Sequence, residues 1–286
     1  MIDARYKTYI RLARLHRTMP IWLLLFPSWW GIALASPAMP SLYLLILFAC
    51  GAIIMRSAGC VYNDIIDQDL DAQVSRTAVR PLAAKELSSK EAVTFLCVLL
   101  GLGALILFSL PPSVVTAGFI ALGLVFLYPW MKRMTYWPQL FLGFTFNMGI
   151  LMGWLCLHPT LSSVPFLFYG GAVLWTIGYD TIYAFQDRED DLLAGIKSSA
   201  LAVSSSPKIF LCLVYGSALV FWGIGAIVAQ LNWIYWFFLI LIAIQLAWQT
   251  FFFREDDARN CLKRFESNRK VGLLLFIAIV FSRLIN

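Results

Sequence analysis

The sequence predicts an all-α membrane protein, a bundle of nine transmembrane helices. Three observations carry that reading. Of 286 residues, 60% are hydrophobic and only 13% charged, where a soluble domain has roughly 45–50% and about 25%. Apolar runs recur at about the 20-residue length that a helix needs to cross the hydrocarbon core. The charges crowd into the gaps between alternate runs. A soluble enzyme and a disordered chain are excluded. The net charge of +6 is no nucleic-acid signal, because the basic residues sit between long apolar runs. Closed β-strands fail because the runs are too long and do not alternate.

In chain order the spans are 21–36, 41–61, 92–110, 114–131, 138–157, 164–184, 209–229, 233–253 and 271–284. Together they make one integral membrane domain over 1–286. The first is short and holds Pro27. Ala33-Leu34-Ala35 would pass as a signal cleavage site, but the preceding polar stretch is long, and Trp29 and Trp30 read as interface anchors. The last span is short and ends at Arg283. The segments 1–20, 62–91, 132–137, 185–208 and 254–270 carry 20 of the 22 Lys and Arg, and the loops on the other side carry none. This bias puts the N-terminus in the cytoplasm and the C-terminus outside. All 16 acids fall on the inner side too. The six cysteines form no CxxC pair and read as reduced and structural. His16 and His158 are too far apart for a metal pair. The stretch 254–270 reads as a solvated loop, with capping of a cavity as a second role.

Nine of the 16 acids sit in two short stretches, each at the inner end of an apolar run. In the first, Asn63, Asp67 and Asp71 share one helix face, with Arg56 two turns deeper. In the second, Asp180, Tyr183, Asp187 and Asp191 share a face, and Asp190 flanks it. Stacked carboxylates repel, and each charge near hydrocarbon costs about 2.5–3.5 kcal/mol. A cation must compensate. Oxygen donors without nearby His or Cys select a hard ion such as Mg²⁺, which completes its shell with substrate phosphate. Arg76 and Arg80 follow the first row, and Lys197 the second.

The stretches RSAGCVYNDIIDQDLDAQVSRTAVRPL (56–82) and YDTIYAFQDREDDLLAGIKSSA (179–200) resemble the two signatures of the UbiA superfamily of intramembrane aromatic prenyltransferases. The likeness is strongest to its 4-hydroxybenzoate polyprenyltransferase branch. It covers essentially the whole chain. The resemblance implies a central cavity open to the cytoplasmic side and laterally to lipid. It implies Mg²⁺ held by Asp64, Asp67, Asp71, Asp187, Asp190 and Asp191, with Asn63 and Asp180 lining the same site. Asn63, Arg76, Lys132 and Lys197 are expected at the diphosphate. Arg56, Asp180, Tyr183 and Tyr128 are expected at the acceptor or in catalysis. The implied reaction, a step of ubiquinone biosynthesis, joins a polyprenyl diphosphate to the ring carbon ortho to the hydroxyl of 4-hydroxybenzoate. The expected setting is a bacterial inner membrane, with the lipid bilayer as partner and neither nucleic acid nor an obligatory protein partner.

Fixed cations stabilise the leaving diphosphate, and a dry pocket protects the allylic cation. Segment 7–17 is amphipathic and basic, so it reads as a surface anchor, with gating of diphosphate access as a second role. Rival readings are another acceptor (homogentisate, dihydroxynaphthoate or haem) and, more remotely, a cation transporter, which would want ionisable residues at mid-membrane. Deleting Asp67 or Asp187 is expected to stop turnover while relieving repulsion, so that stability holds or rises.

Overall fold

A computed structural model describes residues 2–74, 77–193 and 195–285, and among these there is no strand. Its helices are α1 (Ile2–Leu12), α2 (Met19–Ala35), α3 (Leu42–Ile66), α4 (Gln68–Asp71), α5 (Ser89–Phe108), α6 (Pro112–Met134), α7 (Pro138–Leu155), α8 (Ser163–Ala184), α9 (Arg188–Leu193), α10 (Ser199–Ala202), α11 (Pro207–Val228), α12 (Trp233–Phe251) and α13 (Ala258–Leu284). A 3₁₀ turn, Phe185–Asp187, joins α8 to α9. Among the described residues five helices, α3, α5, α6, α11 and α12, are long and apolar enough to cross a membrane, and α2 is a shorter apolar helix. The chain is a multi-pass membrane protein.

Local chemistry explains where the helices start. Proline stands in the first turn of α2, α6, α7 and α11, where its missing N–H costs no helical hydrogen bond. Ser88 caps α5 in a reciprocal box with Glu91, and Asp257 caps α13 by accepting from Asn260 N–H. That cap corrects the reading of 254–270. From Ala258 onward the charged stretch is the opening of α13, built from good helix formers.

The long helices close into a ring in which each of α2, α3, α5, α6, α7, α8, α11, α12 and α13 touches the next, and α13 returns to α2. Across the ring α2 packs on α7. Gly31, Gly149 and Gly153 let the two backbones approach so closely that a Cβ at any of them would collide with the facing helix. This seam divides the bundle.

On one side α8, α11, α12 and α13 form a filled core around Trp30, Trp175 and Trp222, whose rings lie 5.6–6.1 Å apart. Several buried polar groups in it are paired. Trp175 donates to Asn268 at 2.8 Å, Gln249 to Asn268 at 3.1 Å, and Tyr215 to Gln249 at 3.1 Å. On the other side, α3, α5 and α6 with α2 and α7 carry two small separate clusters, with a cavity between the helices.

Candidate functional site

The cavity has a volume of about 1220 Å³. Along α3 its wall runs from Leu47 to Asp64, which at 1.5 Å per residue is about 25 Å, nearly the thickness of a bilayer core. The deep wall is apolar. The mouth holds the charged side chains of both sequence motifs.

Asn63 and Asp64 ride the last turn of α3. The helix breaks at Asp67, whose φ of −100° and ψ of 5° leave the helical range. The ladder still bridges the break, because Asp67 N–H bonds Asn63 C=O at 2.9 Å and Asp71 N–H bonds Asp67 C=O at 2.8 Å. Arg80 joins the row from the following loop, donating to Asp71 at 2.6 Å and to Asp64 at 3.2 Å. Arg14 donates to the same Asp64 oxygen. Asp67 is fully buried; Lys132 of α6 pairs with it, and Arg133 stands 3.6 Å away. The expected face of Asn63, Asp67 and Asp71 is therefore rearranged. Asp64 and Asp71 share a cation on the cavity wall, whereas Asp67 turns toward α6 and does not line the cavity. Burial pushes the Asp71 carboxyl above the usual range, against the pull of Arg80. Burial, with Arg14 close by, pulls the Arg80 guanidinium below its usual value. Arg76 lies outside the described residues.

In the second motif α8 ends at Ala184, and the 3₁₀ turn is pinned by Phe185 against Phe253, centroids 5.2 Å apart. Despite this break, Asp180, Tyr183, Asp187 and Asp191 all line the cavity, and the Tyr183 ring lies 4.5 Å from that of Phe265. Asp190 is half-buried and off the cavity wall. Lys197 lines the mouth, but its N–H bonds Lys132 C=O at 3.0 Å and its ammonium reaches Met134 C=O at 3.3 Å. It thereby fastens the loop to the C-terminus of α6, where a cation is favourable.

Arg56 stands on the wall two turns inside the mouth, and its Nε has no hydrogen-bond partner among the described residues. Its electrostatic neighbours are Arg14, Tyr183, Tyr128 and Asp64. Tyr128, just before Pro129 in α6, faces the charges of Asp180, Asp67, Arg14 and Arg56. The mouth therefore contains a second, deeper polar group of Arg56, Tyr128, Asp180 and Tyr183. Sequence reasoning missed further cavity-wall residues, among them Arg14, and Tyr179 and Ser198, whose hydroxyls have no partner among the described residues. Arg14 carried no signal beyond a basic amphipathic stretch.

The six aspartates expected around Mg²⁺ do not form one cluster. Among the described residues no three His, Cys, Asp or Glu side chains gather as metal ligands. The first row is instead neutralised by Arg14, Arg80 and Lys132, which holds like charges in separate ion pairs. The donor chemistry nonetheless suits a hard cation. Asp64 Oδ2 and Asp67 Oδ1 are buried without hydrogen-bond partners among the described residues, and the facing motif adds only oxygens.

The family model for the UbiA prenyltransferase family matches residues 24–280. A mitochondrial 4-hydroxybenzoate polyprenyltransferase of Caenorhabditis elegans is 42% identical over 282 residues, 98% of this chain and 79% of the relative. The protein of the same name in Arabidopsis thaliana is 40% identical over 278 residues, 96% of this chain and 68% of the relative. Among solved structures, a UbiA homolog from Aeropyrum pernix K1 superposes with a TM-score of 0.74 at 23% identity, covering 92% of this chain and 97% of its own. One from Archaeoglobus fulgidus, bound to DMAPP and Mg²⁺, gives 0.73 at 19% identity, covering 97% and 99%. The mitochondrial names leave the expected bacterial inner membrane without support.

Proposed function

The chain belongs to the UbiA prenyltransferase family, and we propose that it transfers a polyprenyl group from its diphosphate to the ring carbon ortho to the hydroxyl of 4-hydroxybenzoate, with Mg²⁺ as cofactor. The observation that carries this reading is the shape and lining of one cavity. A charged mouth suits a diphosphate, Arg56 just inside it has an Nε unpartnered among the described residues, and an apolar shaft of bilayer length follows.

Each substrate part has a complementary region. The isoprenoid tail lies along α3 and α6, where only apolar side chains face it. The diphosphate sits at the mouth among Asn63, Arg80, Lys132 and Lys197. The carboxylate of the aromatic acid pairs with the planar fork of Arg56. The acidic row is already paired with other cations, so Arg56 is left for the acceptor. Mg²⁺ would be held by Asp64 and Asp71 from one motif and Asp187 and Asp191 from the other, with Asp67 and Asp190 behind them. When bound, it stabilises the charge that develops on the diphosphate oxygens.

As the allylic C–O bond breaks, its electron pair leaves with the diphosphate. Arg80 and Lys132 meet that charge without reorganising. The apolar shaft keeps water from the allylic cation. The ring carbon, made nucleophilic by the adjacent hydroxyl, then forms the new C–C bond. Its proton leaves toward the group of Asp180, Tyr128 and Tyr183, which restores aromaticity. Nine spans, with the N-terminus and both motifs on the positively charged inner side, bring the acid from water and the tail from lipid to one point.

Purified protein with Mg²⁺, a polyprenyl diphosphate and a panel of aromatic acceptors, analysed by mass spectrometry, tests the assignment. The expected product is 3-polyprenyl-4-hydroxybenzoate. Turnover of another acceptor but never of 4-hydroxybenzoate would overturn it.

A further inference from the structure

Arg14 stands where glycine is usual. Helix α1 ends in a six-residue turn in which Arg14 N–H bonds Arg11 C=O at 3.0 Å and Leu15 N–H bonds Ile10 C=O at 3.1 Å. This is the Schellman pattern, whose left-handed residue is most often glycine. Here that residue is Arg14, with φ of 52°, and a side chain there strains the backbone.

The docking of α1 holds the strained turn in place. Leu12 is fully buried, the Tyr9 ring lies 5.1 Å from Phe95, and Arg11 grips Glu86 at 2.7 and 3.0 Å and Val79 C=O at 2.8 Å. What the turn achieves is reach. It aims Arg14 across the cavity mouth onto Asp64, 50 residues away in sequence. Arg17 and His16, on the same strap between α1 and α2, also line the mouth.

The charges at this mouth leave Arg14 a choice of partner. Asp64 accepts from both Arg14 and Arg80 through one oxygen, while its other oxygen has no hydrogen-bond partner among the described residues. Arg80 also holds Asp71. Of the two described cations on Asp64 and Asp71, Arg14 is therefore the one whose loss leaves both carboxylates still paired. A carboxylate shared with a divalent cation attracts a guanidinium less strongly, and a guanidinium binds phosphate oxygens bidentately.

We propose that Arg14 is an exchangeable counter-ion. It neutralises Asp64 before the donor arrives, and it moves to the donor's diphosphate when Asp64 takes up its share of the metal, drawing the strap over the mouth. This rests on the prenyl-transfer reading above.

The test uses the full chain in lipid nanodiscs and two readouts of opposite sign. Without donor, Mn²⁺ as a spin probe should bind Arg14→Gln and Arg14→Gly about tenfold tighter than wild type, because a competitor for Asp64 is gone. With saturating Mg²⁺, the KM for the prenyl diphosphate should rise about tenfold in the same variants while the KM for the aromatic acid holds. Arg14→Lys should recover most of both. Arg14→Gly also relieves the left-handed strain, so its melting temperature should be no lower than that of Arg14→Gln, which separates lost affinity from misfolding. Arg5→Gln, which weakens the docking of α1 at Glu91 but touches no cavity charge, should leave Mn²⁺ affinity unchanged. If wild type is active and the Arg14 variants bind Mn²⁺ no tighter, or keep their donor KM, the exchange is wrong and the prenyl-transfer reading stands. If wild type neither binds Mn²⁺ nor turns over, both fall.

Discussion

The two sides of the α2–α7 seam are both built from long helices, yet one is solid and the other hollow. Beyond the seam, Trp30, Trp175 and Trp222 interlock, and their polar edges are satisfied by Gly272 C=O, Asn268 and Phe168 C=O. On the other side, small buried clusters sit at the inner and outer ends, and the space between α3, α5 and α6 is cavity. Large aromatics that face each other fill space; a glycine on the cavity wall such as Gly59, where an added Cβ would meet nothing within 4 Å, leaves it. The solid half fixes α8, and with it the second motif. The hollow half forgoes dispersion contacts and gains a place for a ligand. Stability and binding are thereby given to different halves.

The sharpest way to break this division is Trp175→Ala. Loss of a fully buried indole and of its bond to Asn268 should cost about 3–5 kcal/mol, read as a large fall in the thermal midpoint in detergent. A variant that melts like wild type would show that the filled half does not carry the stability. Asp67→Ala crosses the division, because Asp67 belongs to the motif but is a buried ion-pair partner. It should lose turnover and about 3 kcal/mol of stability, the low end for a broken buried pair, since Lys132 keeps access to the mouth. This reverses the expectation that stability would hold or rise.

Asp187→Ala is the contrasting case on the cavity wall. Turnover should fall on the order of 10²–10³-fold with the melting temperature unchanged; near-normal rates at saturating Mg²⁺ and substrates would remove Asp187 from the site. Arg56→Lys keeps the charge and loses the fork. The KM for 4-hydroxybenzoate should rise roughly tenfold, on the order of 1.4 kcal/mol, and the donor KM should not move. If the donor KM moves instead, Arg56 belongs with the diphosphate. Smallest of all should be Phe119→Ala on the cavity wall, where the ring is 55% exposed. Its melting point should shift by less than about 1 kcal/mol allows, and a collapse there would mean that the hollow half is structural after all.

Much of the site could be read before any fold was known, for a simple reason. Asp180, Tyr183, Asp187 and Asp191 follow the helical repeat at the end of an apolar run, so their common face is a local property that survived even the 3₁₀ break. The first row was read less well. One non-helical residue, Asp67, sends its own carboxylate to α6 and leaves Asp64 and Asp71 to share Arg80. The charged stretch before the last span also misled, because polar residues that look like a loop extend α13 by some three turns once Asp257 caps it.

By itself, the amino-acid sequence determined the all-helical membrane character, the family, and the pairing of two acidic stretches, because hydropathy and helical period act within a single segment. Only the tertiary structure decided which carboxylate meets which cation, which half is filled, and where Arg14 points. Arg14 and Asp64 are 50 residues apart, and Trp30, Trp175 and Trp222 lie on three different helices. Their meeting depends on how helices dock, and docking energies come from side-chain shape across segments, which no local pattern records.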